Sequence, residues 1–272
     1  MTLSLSEIST PTSSFRDDLR AYSAAGFDGI GIWESKLEDD GGDLAALRAS
    51  GLRATNCVPL VPSILPNTVI DGPDDVDERV EAICRSLRRL APYEPDSVLC
   101  LTGGAGRRSD DEARALVVAG LRRLVSMANE VGVWLGLEPI HPSQQAGLSI
   151  VTSIPEALDL LEEADAPTVG IMVDLWHVGE TPTIERDLRD NVDRITGVHV
   201  ADWFPGGRHD RALPGEGVSR TAELMGVLHE AGWRGGWDVE IFGDPSCADS
   251  LWALDADTAA RRAYDAIARI AR

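Results

Sequence analysis

Apolar residues along the chain follow two alternating periods, and that alternation predicts the architecture. Short runs rich in Val, Ile, Leu and Trp, bounded by Gly, Pro or polar residues, mark strands at 2–6, 29–33, 52–59, 97–101, 133–138, 168–174, 195–199 and 236–240. Between them the spacing turns helical, as at Val76, Val80, Ile83, Leu87 and Leu90 within 74–90. Helices are expected over 15–25, 43–50, 74–90, 109–131, 154–164, 184–190, 219–231 and 255–271. Their ends carry matching signals: Ser13 or Ser14 to cap the first, Ser109 with Glu112 as a capping box, and Gly26, Gly51 and Gly232 as stops. Eight strands alternating with eight helices over 272 residues make about 34 residues per unit, and no linker divides them. The economical fold is α/β, a single (β/α)8 TIM barrel forming one domain over 1–272, with its active site at the C-terminal ends of the strands.

Composition narrows the partners. A hydrophobic content of 43% with a mean hydropathy of −0.09 suits an ordinary globular core. Twenty-five basic against 45 acidic residues leave a formal charge of −20, which repels phosphate backbones and anionic membranes. Neither nucleic acid nor membrane is therefore expected as a partner, and solubility is the plain reading of the charge. Cys57, Cys84, Cys100 and Cys247 form no C-x-x-C pair, so neither a disulfide framework nor a cysteine metal site is indicated. No basic-then-apolar leader opens the chain and no run approaches about 18 apolar residues. A cytoplasmic protein is the expectation, with a homo-oligomer, dimer or tetramer, left open.

Four of the strand-like runs end in a metal-ligand type of residue: Glu138, Asp174, His199 and Glu240, at intervals of 36, 25 and 41 positions. One strand plus one helix accounts for each interval, so four successive barrel units each present one ligand. Three carboxylates and one imidazole form an N/O site for one divalent cation. The carboxylates favour Mn2+ or Mg2+, and the imidazole leaves Co2+, Zn2+ or Fe2+ open. Two positions earlier, on the same strand faces, stand Gly136, Met172, Gly197 and Asp238. Small residues suit a crowded barrel interior, whereas Asp238 needs a polar partner. Glu34 ends the second strand beside Trp33 and is a candidate acceptor of substrate hydroxyls.

Five ordered motifs carry a resemblance: Gly136-Leu-Glu138-Pro139, Val173-Asp174-Leu-Trp-His177, Gly197-Val-His199-Val-Ala-Asp202, Leu213-Pro-Gly-Glu-Gly217 and Val239-Glu240-Ile. Together they resemble the sugar phosphate isomerase/epimerase family of xylose isomerase-like TIM barrels, most strongly between Leu135 and Phe242. That family includes hydroxypyruvate isomerases, ketose 3-epimerases, inosose dehydratases and 3-dehydroshikimate dehydratases. The resemblance implies one metal ion, usually Mn2+ or Mg2+, on Glu138, Asp174, His199 and Glu240. It further implies proton transfer through a metal-stabilised enediolate, with Glu138 and Glu240 as acid and base on opposite faces of a ketose, hydroxypyruvate or related small hydroxy-carbonyl substrate. By the same resemblance His177 of the Asp-x-x-His element bonds substrate oxygens. Arg211 contacts the far end of the substrate, with Arg208 as its competitor, and His141 matches a proton-transfer histidine of the dehydratase branch, offset by one residue. Trp176 and Trp203 flank the site and shield it from water.

Three rival readings remain. Dehydration begins with the same proton abstraction as isomerisation, so a dehydratase or lyase of this superfamily is the alternative. Some relatives act as a large subunit beside a small β-rich partner, as in C-glycoside cleavage. A three-zinc AP endonuclease is disfavoured by a count of five histidines and by the acidic charge. Lastly, Thr102-Gly-Gly-Ala-Gly106 with Arg107 and Arg108 offers a loop for a phosphate.

Overall fold

The computed structural model of the chain describes residues 1–38, 41–206, 210–247 and 249–271. Arg208, singled out above, lies outside the described residues. In chain order the elements are β1 (Thr2–Ser6), α1 (Phe15–Ala25), β2 (Gly29–Gly31), α2 (Asp43–Ser50), β3 (Arg53–Ala54), β4 (Asn56–Cys57), α3 (Val76–Leu90), β5 (Ser97–Cys100), α4 (Asp110–Val131), β6 (Leu135–Leu137), α5 (Gln145–Leu148), α6 (Ile154–Glu163), β7 (Val169–Asp174), α7 (Leu175–Val178), α8 (Ile184–Asp190), β8 (Ile195–Val200), β9 (Asp202–Trp203), β10 (Arg211–Ala212), α9 (Thr221–Ala231), β11 (Gly236–Val239) and α10 (Ala256–Ile270).

Nine of the strands form one parallel sheet in the order β3-β2-β1-β11-β8-β7-β6-β5-β4. β3 and β4 share a single position in that sheet. β3 pairs with β2 and β4 with β5, while Thr55 between them donates to the Ile30 carbonyl (2.9 Å) and accepts from the Ser97 amide (3.3 Å). The sheet thus comes round on itself as the expected (β/α)8 barrel. Caps agree with the sequence as well. Ser14 accepts from the Asp17 amide, Ser109 and Glu112 form the capping box of α4, and Gly26 ends α1 at φ +104°.

Pairing of β7 with β8 carries a register shift. Ile171 faces Ile195, but Met172 faces Gly197 and Asp174 faces His199, so Thr196 is the extra residue of a bulge. A one-residue slip exchanges the faces of a strand. The bulge therefore brings His199 level with Asp174 at the C-terminal end of the barrel. Glycine is required inside it: a Cβ at Gly197 would collide with Asn56 Oδ1 and Met172 Sδ.

The apolar interior has two parts. The large cluster lies between sheet and helices, and a smaller one consists of Val58, Leu99, Leu101, Ile140 and Met172, with Trp33 and Leu148 packed against it. Leu99 alternates with Val98 and Cys100 of the large cluster, which places the small cluster inside the barrel. No helix of the described residues is long and apolar enough to cross a membrane.

Candidate metal centre and active-site cleft

Glu138 and Glu240 each lie one residue past a strand and continue its ladder, their amides donating to the carbonyls of Cys100 (3.1 Å) and Val200 (3.2 Å). Asp174 closes β7 and His199 sits in β8 beside it. All four side chains are buried. Suitable atoms of Glu138, Asp174 and His199 lie within 4.8 Å of one another. His199 Nδ1 is 3.1 Å from Glu138 Oε1 and 3.6 Å from Glu240 Oε2, so the imidazole lies between two carboxylates. Three of the four expected ligands thus converge within one small radius, with Glu240 beside them on the His199 side.

Arg211, expected at the far end of the substrate, instead closes the other side of the candidate ligand set. Its Nη1 lies 2.7 Å from Asp174 Oδ2 and 3.1 Å from Glu240 Oε2, and the guanidinium sits between the rings of Trp176 (5.0 Å) and Phe242 (4.9 Å). His177 Nδ1 accepts from the His141 amide at 3.2 Å. Nε2 faces Asp174 Oδ2 at 3.6 Å and Arg211 Nη2 at 3.3 Å.

Electrostatics follow from this burial. Desolvation pushes the Glu138 carboxyl above the usual carboxylate range, against the pull of His199. Burial disfavours the His199 cation, but Glu240, Glu138 and Asp238 outweigh it and raise the imidazole above its ordinary value. His177 moves the opposite way, lowered first by burial and then by the Arg211 guanidinium, and is neutral. Asp238 is raised by burial to about 7. The polar partners that its sequence position called for are the Ser4 and Thr55 hydroxyls, which pull against that rise. His199 Nε2 lies 3.9 Å from Asp238 Oδ2. Gly31 makes room for this carboxylate, since a Cβ there would collide with Asp238 Oδ2.

The donor set fits a divalent cation. Asp174 Oδ1 accepts from the Trp176 amide at 2.8 Å, which leaves Oδ2, 2.7 Å from Arg211 Nη1, as the oxygen turned to the centre. Four buried carboxylates face one imidazole and one guanidinium, so the centre is short of positive charge. A hard cation on Glu138, Asp174, His199 Nδ1 and Glu240 would supply that charge, and His199 Nε2 would keep its proton toward Asp238.

Residues 19–270 match the family described as the xylose isomerase-like TIM barrel. The chain belongs to that family. Among curated relatives, a 3-dehydroshikimate dehydratase of Pseudomonas putida is 26% identical over 84% of this chain, which spans 36% of that protein's length. A D-psicose 3-epimerase of Enterocloster bolteae is 30% identical over 50% of this chain and 42% of its own. A solved protein of Sinorhizobium meliloti 1021 superposes with a TM-score of 0.87 at 24% identity, over 98% of both chains, and shares the fold.

Within this xylose isomerase-like barrel, Trp176, His177, Arg211, Glu138 and Glu240 line one cleft at the strand ends. Trp203 stacks on Trp176 with centroids 4.1 Å apart. Two expected substrate contacts stand apart from that lining. Glu34 is directed at the Leu60 amide (2.8 Å) and Arg89 (3.5 Å), so the fold itself holds its carboxylate. His141 turns its Nδ1 to Ser143 and its ring toward Trp203, 5.0 Å away. In the glycine-rich 102–106 segment, a Cβ at Gly103 or Gly104 would strike the backbone of Leu65 or Ala146, so close packing requires glycine there.

Sequence reasoning missed the device that carries Arg211. β10 pairs antiparallel with β9, Arg211 opposite Trp203, and the Arg211 amide donates to the Phe242 carbonyl at 2.8 Å. Asp202 anchors the turn that follows by accepting from the Gly215 and Gly217 amides (2.8 and 3.1 Å) and from the Ser219 and Thr221 hydroxyls. The clue was Asp202 followed by Gly215, Gly217 and Ser219, a carboxylate with several donors close behind.

Proposed function

We propose that the protein is a divalent-metal-dependent isomerase or epimerase of a small hydroxy-carbonyl compound. The observation that carries this reading is the placement of two buried glutamates, Glu138 and Glu240, about the same imidazole nitrogen at the head of one cleft. Bound on Glu138, Asp174, His199 and Glu240, a divalent cation of the Mn2+ or Mg2+ type supplies polarisation of a carbonyl and its neighbouring hydroxyl. One glutamate removes the proton from the carbon next to the carbonyl, and the other returns a proton from the opposite face, which inverts that carbon. Return by the first glutamate to the neighbouring carbon gives the isomer instead. His177 Nε2 donates to a substrate oxygen, Arg211 holds the head of the substrate, and the stacked Trp176 and Trp203 exclude water.

Glu138→Gln and Glu240→Gln test the assignment in D2O. Each variant should lose at least a hundred-fold in exchange of the substrate α-proton while still binding Mn2+. Exchange at the wild-type rate in both would overturn it. The second reading, a dehydratase, is favoured by the dehydratases among the relatives and begins with the same proton abstraction. Loss of water from the product, read by mass spectrometry, separates the two.

A further inference from the structure

The proposed chemistry uses only the ligand end of the cleft, and the rest of its lining points to a substrate class. Glu138, Glu240, His177 and Arg211 form that end. The lining also includes Val58, Leu99, Leu101, Ile140 and Leu148, which belong to or pack against the apolar cluster inside the barrel. Two further polar side chains reach the cleft, Asn67 and Gln144. The Asn67 carboxamide is already occupied. Its Nδ2 donates to Ser63 Oγ (2.8 Å), and its Oδ1 accepts from the amides of Val69 (2.9 Å) and Ile70 (2.7 Å).

That last pair of bonds has a consequence at the mouth of the cleft. They fold the chain so that Val69 and Ile70 line the entrance, with Val69 60% exposed to water. Branched apolar side chains held in solvent at the rim of an apolar cleft gain stability when an apolar surface covers them. The cleft encloses about 730 Å3 of empty space, part of it open to solvent.

Polyhydroxylated substrates fit this lining poorly. Beyond the oxygens taken by the ligand end, each further hydroxyl pressed against Val58, Leu99, Leu101 or Ile140 would lose water without gaining a partner. An unmatched hydroxyl costs roughly ten-fold or more in affinity, whereas an apolar group there gains. We infer that the substrate carries its hydroxy-carbonyl head on an apolar body, aryl or branched alkyl, and not on a polyol chain. The head rests on the proposed function; the body rests on the wall and the rim.

Binding of two α-hydroxy acids to the Mn2+-loaded protein separates the two claims. Both 3-phenyllactate and D-gluconate present the same α-hydroxy carboxylate head, one on a benzyl body and the other on a polyol. Calorimetry should find 3-phenyllactate bound at least ten-fold more tightly, with that advantage reduced at least five-fold in Leu101→Asn. Ile70→Ser, at the half-buried rim, gives the same reduction without touching the barrel interior. Equal or tighter binding of D-gluconate, or no binding of 3-phenyllactate, overturns the inference whatever the protein catalyses. In parallel, α-proton exchange of 1,3-dihydroxy-4-phenylbutan-2-one and D-fructose tests the chemistry. Exchange of neither ketone overturns the proposed isomerase reading, while the binding result still decides the apolar body.

Discussion

Replacing Asp202 with asparagine should unfasten the segment that holds Arg211 at the metal centre. The carboxylate accepts four hydrogen bonds, two of them from the backbone amides of Gly215 and Gly217 through the same oxygen, Oδ2. Asparagine offers one acceptor oxygen in place of two. If its NH2 group takes the Oδ2 position, two amides face a donor; if it takes the other, the hydroxyls of Ser219 and Thr221 lose their shared acceptor. Each unpaired and partly buried donor costs about 1–3 kcal/mol, and the hydroxyls can reorient toward other acceptors, as Thr221 already does to the Ala201 carbonyl at 2.9 Å. Asparagine therefore keeps its oxygen on the two backbone amides, and the loss of the shared acceptor of the two hydroxyls amounts to about 1–2 kcal/mol. Urea unfolding of the metal-free protein, followed by circular dichroism, reads that loss as a lower midpoint at unchanged slope. Asp190→Asn, an exposed site, serves as the control and should move stability by no more than about 0.5 kcal/mol. An Asp202→Asn protein within about 0.5 kcal/mol of wild type would refute the anchoring role.

Further outcomes follow from the charges at the centre. Folded Asp238 titrates at about 7 against an ordinary aspartate value of 3.8, so between those limits the folded chain binds the proton more tightly than the unfolded one. Stability is therefore highest below about pH 4 for this group and falls as pH rises toward 7. From pH 5 to 7 this amounts to at most about 2.7 kcal/mol at about 1.36 kcal/mol per pH unit; Asp238→Asn should remove most of that slope in the metal-free protein, and an unchanged slope counts against it. In Arg211→Met the acidic centre loses a cation 2.7 Å from Asp174 and 3.1 Å from Glu240. A unit charge at about 4 Å is worth about 4 kcal/mol at an effective dielectric of 20, so Mn2+ should bind at least ten-fold more tightly by calorimetry. Unchanged or weaker binding would show that Arg211 does not compete with the ion. Gly31→Ala, whose Cβ meets Asp238 Oδ2, should destabilise the protein by about 1–3 kcal/mol in thermal unfolding; a neutral result would mean the carboxylate swings away freely.

Much of the barrel and of the candidate ligand set can be read from residue order because both depend on local periodicity. Helices α1, α2 and α8 run from Phe15 to Ala25, Asp43 to Ser50 and Ile184 to Asp190, as their caps and spacing predict. Glu138, Asp174, His199 and Glu240 converge because each follows an apolar run and a barrel brings strand ends together. Features that depend on contacts distant in sequence are not readable in this way. Nothing near Glu34 announces that Arg89, 55 positions later, approaches its carboxylate. The pair β9 and β10 is two residues on each side, too short to show a period. The bulge at Thr196 likewise needs the partner strand before it can be recognised. Similarly, the apolar wall of the cleft looks like ordinary core in sequence. Only the barrel's curvature separates Leu99 and Leu101, which face the cleft, from Val98 and Cys100, which face the helices.

Metal loading of the purified protein tests the centre most directly. After chelator treatment and equilibrium dialysis against Mn2+, the wild type should retain about one ion per chain, and Asp174→Ala and His199→Ala should each weaken that binding at least a hundred-fold. Wild-type protein that retains no divalent ion, or an His199→Ala variant that binds as tightly as wild type, would contradict the site described above.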